Sequence, residues 1–355
     1  MKLWVSIIIF IMALFFLIIV NKINKKNKKL NIAVNILSIS VMVLCLLYII
    51  LTLILVDSKK YDQDSKYTDK AIEIAKSNVD LALFYTDQNS NSNLSKKTYN
   101  YETTDSSKKL TSEQKKVYDE VLGYAKNFEY HRFSAKELGY EYLDNVLLVL
   151  DAIYDNYPII ETYFKIDEHN DGNITDYLET NYFMPGDKDS TPVTDIEKLK
   201  EEIEVFKSVC KYVVSSMNDN YSAYDKYKYL ASYISIITSY DYSGDEGWQD
   251  GSIYGAILSG HSICEGYSKA FKYLCKLANL YCKCVNGTVG DVSHMWNIVK
   301  LDSGTYYIDV TWADDDNNLI GDEGWLKYFM VTEEDILRDH EILDGTSATG
   351  KERFK

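Results

Sequence analysis

Two apolar runs at the start of the chain limit most strongly what it can fold into. Residues 3–20 hold 18 positions without a charge, and residues 32–56 hold 25 more. At about 1.5 Å per helical residue these reach about 27 and 37 Å, enough to cross a bilayer if the second tilts. The first run lacks a small-residue cleavage site and a second run follows it, so a removed signal peptide fits poorly. Between them, Lys22, Lys25, Lys26, Lys28 and Lys29 crowd one short loop. Such a loop stays in the cytoplasm, which sends everything after Val56 outside. The expectation is a two-helix transmembrane anchor, residues 1–56, in a cell membrane. The lipid bilayer meets it through residues 3–20 and 32–56, and the bulk of the chain is extracytoplasmic.

Charge divides the same way. The first 56 residues carry six lysines and no acid, leaving 32 Lys and Arg against 53 Asp and Glu in the rest, a net charge of −21. A body this acidic excludes nucleic acid as a partner bound through phosphates. It suits a solvated surface, with some attraction for basic, lysine-bearing partners.

Residues 57–110 read as a stalk and flexible linker. Weak helical spacing runs through Ile72, Ala75, Val79 and Leu83, and residues 86–109 then lack almost all aliphatic side chains. The folded boundary is expected near Leu110. Residues 111–219 read as a helical region. A helix starts at Thr111 or Ser112, residues 128–133 suggest a strand, residues 135–155 a helix and residues 159–166 a strand. The run from Asp167 imitates a calcium loop, but position 12 is Leu178 where a glutamate belongs, so a hairpin turn is the better reading. Asp195 caps a long amphipathic helix, and another helix covers residues 223–240.

The core is assigned to residues 220–345. Cys264 precedes apolar positions Tyr267, Ala270, Phe271, Leu274 and Leu277, which is helical spacing, so the thiol falls in a first helical turn. There the helix dipole and the uncapped N–H groups favour thiolate. His294 opens an alternating run and Asp309 closes a second. A two-residue turn, Ser303-Gly304, joins them into an antiparallel hairpin that can set the two side chains side by side. A thiol, a base beside it and a carboxylate to orient the base are what an activated cysteine needs. A lone Cys, His or Asp would be read as a core, strand or turn residue; the three together, with Tyr267, Trp296 and Trp312 near them, favour chemistry.

The runs ICEGYSKAF, SHMWNIVKL and YYIDVTWAD resemble the three motifs of the transglutaminase-like superfamily, in its secreted or membrane-anchored bacterial branch. The resemblance covers roughly residues 220–335. It implies an α+β fold with a papain-like core, N-terminal helices packed on an antiparallel sheet. It also implies a catalytic triad of Cys264 as nucleophile, His294 as base and Asp309 as orienting residue. The implied activity is acyl transfer or amide hydrolysis on protein or peptide substrates through a cysteine thioester, as a transglutaminase-like acyltransferase or a cysteine protease or amidase. By the same resemblance, Tyr254 is the oxyanion-hole candidate beside the Cys264 N–H. Trp248, Gln249, Trp296 and Trp312 are candidates for the cleft wall. His261, three residues before Cys264, lacks an orienting partner and is set aside as base.

An oxidising compartment permits disulfides, and the sequence leaves open whether Cys275 pairs with Cys282, with Cys284 or with neither. No glycine-rich phosphate loop, paired zinc ligands or cofactor signature is present, so neither metal nor cofactor is expected. Residues 325–331 suggest a last strand, residues 333–340 a short helix, and the tail after Asp344 a loose end. Two other readings use the same residues: a catalytically silent peptide- or protein-binding module at the cell surface, and a structural membrane subunit organised by the two spans.

Overall fold

The computed structural model describes residues 69, 71–88, 106–134, 142–170, 175–185, 191–243, 250–315 and 319–353. The chain divides after Lys70, and from Ala71 onward it is one compact unit. Both apolar runs expected to span a membrane lie outside the described residues. No helix among the described residues is long and apolar enough to cross a membrane.

The described chain mixes helix and sheet, as an α+β fold requires. Its first helix, α1, covers residues 71–87. Ala75, Val79 and Ala82 sit on one face at helical spacing and are buried in the main core with Phe206 and Val209. Tyr221 donates its hydroxyl to Asp87 at 2.6 Å, and Lys228 reaches the Tyr85 carbonyl at 3.0 Å. This part of the expected stalk is therefore packed structure. Small alanines let the helix approach closely, which a search for large aliphatic side chains does not register. Folded chain also precedes Leu110, for Ser106 donates its backbone N–H to Asn156 at 3.1 Å.

Helix α2, Ser112–Asn127, begins where expected, with Thr111 and Gln114 closing a capping box. Strand β1, Arg132–Ser134, is shorter than the expected 128–133 because Phe128 ends α2 in a left-handed conformation. Helix α3, Tyr142–Asn156, follows. Residues 158–161 are helical rather than extended, because Pro158 is preset for a first helical turn. Strands β2, Phe164–Asn170, and β3, Thr175–Tyr182, form an antiparallel pair in the sheet β1-β3-β2. The calcium-loop imitation is thus strand at both ends, with Asp167 accepting from Asn181 across the pair at 2.7 Å.

Helix α4, Ile196–Ser215, joins two cores. Leu199 and Ile203 enter a smaller core with α2, α3 and the first sheet, while Phe206, Val209 and Val213 enter the main one. Helix α5, Ala223–Ile237, leads into β4, Ser239–Tyr240, which pairs in parallel with β5, His261–Ser262. Helix α6, Cys264–Leu277, packs on the antiparallel sheet β8-β7-β6-β9. The members of that sheet are β6 (Cys282–Val289), β7 (Val292–Leu301), β8 (Gly304–Ile308) and β9 (Glu341–Ile342). Tyr267, Phe271 and Leu274 of α6 are fully buried, each contributing about 2 kcal/mol of apolar transfer.

Three lysines at helical spacing tie α6 to the smaller core. Lys269 pairs with Glu161 at 2.6 Å, Lys272 with Asp155, and Lys276 donates to the Asn156 carbonyl at 2.8 Å. The N-terminal region thus braces the helix that starts at Cys264.

Two late expectations change. Residues 323–326 form a short helix, not a strand, because the Asp322 carboxylate accepts from the Trp325 N–H and starts a turn. Only Val331 pairs, with Tyr307. The tail is also held: Thr305 and Thr349 exchange hydrogen bonds at 2.9 and 3.0 Å, and the Gly350 N–H donates to the Thr305 carbonyl.

Candidate active site

Cys264 is the first residue of α6. The preceding residue, Ile263, has no side chain able to cap, so the first N–H groups of the helix remain available for an anion. Gly266 stands one turn inside. A Cβ there would meet the Asp250 carbonyl at 2.6 Å, so the loop that seats the cysteine needs glycine.

His294 is the third residue of β7. The β7–β8 register pairs Asn297 with Ile308 and Leu301 with Gly304, so the turn residues are Asp302 and Ser303, one position earlier than expected. Asp309 lies just past the end of β8, at the N-cap of the short helix α7, Val310–Ala313. Its Oδ1 accepts from the Trp312 N–H at 3.2 Å, which fixes the carboxylate. Its Oδ2 is 2.8 Å from His294 Nε2. The other imidazole nitrogen is left free of Asp309, and the Cys264 thiol is among the groups that raise the imidazole. The three sequence-predicted residues therefore meet, in the order sulfur, imidazole, carboxylate. Cys264 is 9% exposed and His294 8%, while Asp309 is fully buried.

The charges follow from this packing. Burial works against a charged Asp309, but hydrogen bonds with His294 and His340 outweigh it and hold the carboxyl at about 2. Burial likewise opposes a His294 cation, but hydrogen bonds to Asp309 and Cys264 raise the imidazole to about 10. A protonated imidazole beside a thiol is the setting in which sulfur acts as thiolate.

A cleft of about 860 Å³ opens beside His294. Tyr240, Tyr242, Val292, Trp312 and Asp314 are among its walls; Cys264 is recessed and not one of them. Trp312 is a cleft residue as expected. Trp296 is not: fully buried, it stacks behind His294 at 5.9 Å between ring centroids. Trp248 and Gln249 lie outside the described residues. Tyr254 is turned away, because its hydroxyl donates to Glu202 on α4 at 3.2 Å and its ring stacks on Phe206. The chain offers Tyr240 instead. This residue lines the cleft, and burial and the Cys264 sulfur raise its hydroxyl, which stays protonated and able to donate. His261 is exposed on β5 and takes no part.

One residue of the site escaped the sequence reading. His340, fully buried after the helix at Glu333–Ile336, places Nε2 3.0 Å from the same Asp309 Oδ2 that His294 uses. The ligand-type atoms of His294, Asp309 and His340 lie within 4.8 Å of one another. Both contacts have hydrogen-bond lengths, so the cluster is read as a proton-holding network and not as a metal centre. A lone histidine in a polar tail carries no periodic signal that could have marked it.

The other described cysteines, Cys210, Cys275, Cys282 and Cys284, are free thiols. Cys275 touches Cys282 through a hydrogen bond and not a disulfide, and burial pushes the Cys284 thiol up to about 12.

Residues 207–312 match the family model of the transglutaminase-like superfamily. Comparison with curated proteins finds no match. Among solved structures, one described as "Crystal structure of a TGase" is 16% identical over 45% of this chain and 47% of that one, with a TM-score of 0.29. The chain thus spans about half the length of that structure. The matched segment contains Cys264, His294 and Asp309 and ends before His340. The chain carries a transglutaminase-like domain in residues 207–312.

Proposed function

We propose that this chain is a cysteine acyl-transfer enzyme acting on carboxamide or amide groups of proteins or peptides. One observation carries the reading: the Cys264 thiol at an uncapped helix start, among the groups acting on an imidazole whose Nε2 is 2.8 Å from a fully buried carboxylate. The Cys264 sulfur attacks the carbonyl carbon and the carbonyl π electrons move to oxygen. His294 holds the thiol proton and delivers it to the departing amine or ammonia, leaving a thioester. Water then gives deamidation or proteolysis; a lysine amine gives an isopeptide. The oxyanion meets the Cys264 N–H and the Tyr240 hydroxyl.

The two uncharged runs at 3–20 and 32–56, with the lysine cluster between them, support a two-span anchor in the cell membrane and a catalytic domain on its outer side. Impermeant thiol or protease labelling of intact cells tests this; a protected domain rejects it.

The activity test follows alkylation of each cysteine against pH by peptide mass spectrometry on the full-length chain, native and His294→Ala. Ammonia release and amine incorporation are followed with glutamine-donor peptides in parallel. Cys264 is expected to react fastest, and to lose that advantage in His294→Ala. Ordinary reactivity in both chains rejects the enzyme and favours a silent binding cleft.

A further inference from the structure

The Asp309 carboxylate serves two imidazoles. His294 Nε2 stands 2.8 Å from Oδ2 and His340 Nε2 stands 3.0 Å from the same atom. His340 uses its other nitrogen as well, with Nδ1 2.6 Å from Asp339 Oδ1. Both acceptors are carboxylate oxygens, so both ring nitrogens of His340 are placed to donate. Its side chain is wholly buried. Trp296 packs edge-on at 4.9 Å and Trp312 at 5.1 Å between centroids, shielding it from water. Asp339 is in turn held by the Tyr328 hydroxyl at 2.9 Å and by Lys327 at 3.3 Å. The titratable and charged groups facing His340 are thus Asp309 and His294 from the β7–β8 side, and Asp339, Tyr328 and Lys327 from its own.

A single carboxylate beside His294 would hold its proton tightly. A tightly held proton favours thiolate but is slow to reach a leaving amine. A second imidazole on the same oxygen counters this: it takes up part of what that oxygen can accept, and two protonated rings about 5 Å apart would repel with little solvent between them. We infer that His340 is a positioning residue: held by Asp339, it shares Asp309 with His294, fixes that carboxylate and loosens the imidazole's grip on its proton. The inference rests on the acyl-transfer reading for its purpose, but not for its test. It also extends the working site past the matched segment, to residue 340.

The test is histidine-selective 15N NMR on the full-length chain in a Cys264→Ala background. Removing the thiol takes away one of the groups that raise His294 and brings its titration into an accessible range. Replacing His340 by Gln in that background is expected to move the His294 midpoint up, by up to about two pH units, the limit set by repulsion between two charged rings at the 5.3 Å centroid separation in an effective dielectric of about 20. Asp339→Asn, which keeps the residue and weakens its hold, is expected to move it the same way by less; it serves if the Gln variant does not fold. A midpoint that stays or falls in these variants overturns the inference, since a merely structural role would not raise it. Alkylation of Cys264 in the native chain separates the two ideas. If that thiol is ordinary and indifferent to His294→Ala, acyl transfer fails while the NMR shift still decides the role of His340.

Discussion

Replacing Asp309 by Asn keeps the shape of the side chain and removes its charge, leaving two buried imidazoles facing an amide. The carboxyl is held at about 2 against an ordinary 3.8, and one pH unit is worth about 1.36 kcal/mol, so its contacts contribute on the order of 2 kcal/mol. His294 is raised further, from 6.5 to about 10, through some of the same contacts, so the two shifts are not added. The smaller one sets the magnitude because the full burial cost of Asp309 is already included in it. The depressed Asp309 contributes stability that is present above about pH 3.8 and lost as pH falls through about 2. The raised His294 contributes stability that is complete below about pH 6.5 and lost as pH rises through about 10. Urea unfolding of the full-length chain and of Asp309→Asn, from pH 3 to pH 10, should therefore differ most between about pH 4 and 6.5, with the gap closing on both sides. A gap that is absent, or that stays constant across this range, refutes the charged network.

Five further substitutions test other parts of the structure. Tyr240→Phe should lower kcat for a glutamine-donor peptide about 10²-fold with KM little changed; a larger loss in Tyr254→Phe would return the oxyanion role to Tyr254. Lys272→Met removes the cation from Asp155 at the brace of α6, and since Asp155 keeps the Ser106 hydroxyl, is about one-third exposed and can rehydrate, the cost in thermal unfolding should be about 1–2 kcal/mol; no change would remove the brace from the argument. Gly287→Ala sets a Cβ 1.9 Å from the Glu341 carbonyl and should cost over about 2 kcal/mol while freeing β9 and the adjoining His340. Gly290→Asn, at φ +58 with open space around it, should be nearly neutral, and equal effects at the two glycines would reject the packing account.

The three candidate residues were legible because each stands at an element boundary marked by periodicity: the helical spacing after Cys264, the alternation after His294 and the strand before Asp309. Long helices such as α4 and α5 were legible for the same reason. The brace of α6 was not, because lysines at positions 269, 272 and 276 read alone as a solvated face, and their partners lie over a hundred residues away. Residues 325–331 looked extended because aromatic and apolar residues crowd there, but the capping carboxylate of Asp322 starts a helical turn over Glu323–Leu326 that outweighs that local preference. Tyr254 and Tyr240 both precede the cysteine, and only the direction of each hydroxyl, set by Glu202 in one case and the cleft in the other, tells them apart. Pattern has no access to such directions, and none to a single histidine brought back by the tail.

Helix α4 carries a practical consequence. The transglutaminase-like match begins at residue 207, midway along a helix whose first half belongs to one core and second half to the other. A fragment cut at the edges of the match would sever that helix beside Phe206, strip α1 from the main core, and stop 28 residues short of His340. The borders of the likeness are therefore not the borders of anything that could be excised intact, and the smallest piece with every described contact of the site begins near residue 71 and runs to the tail.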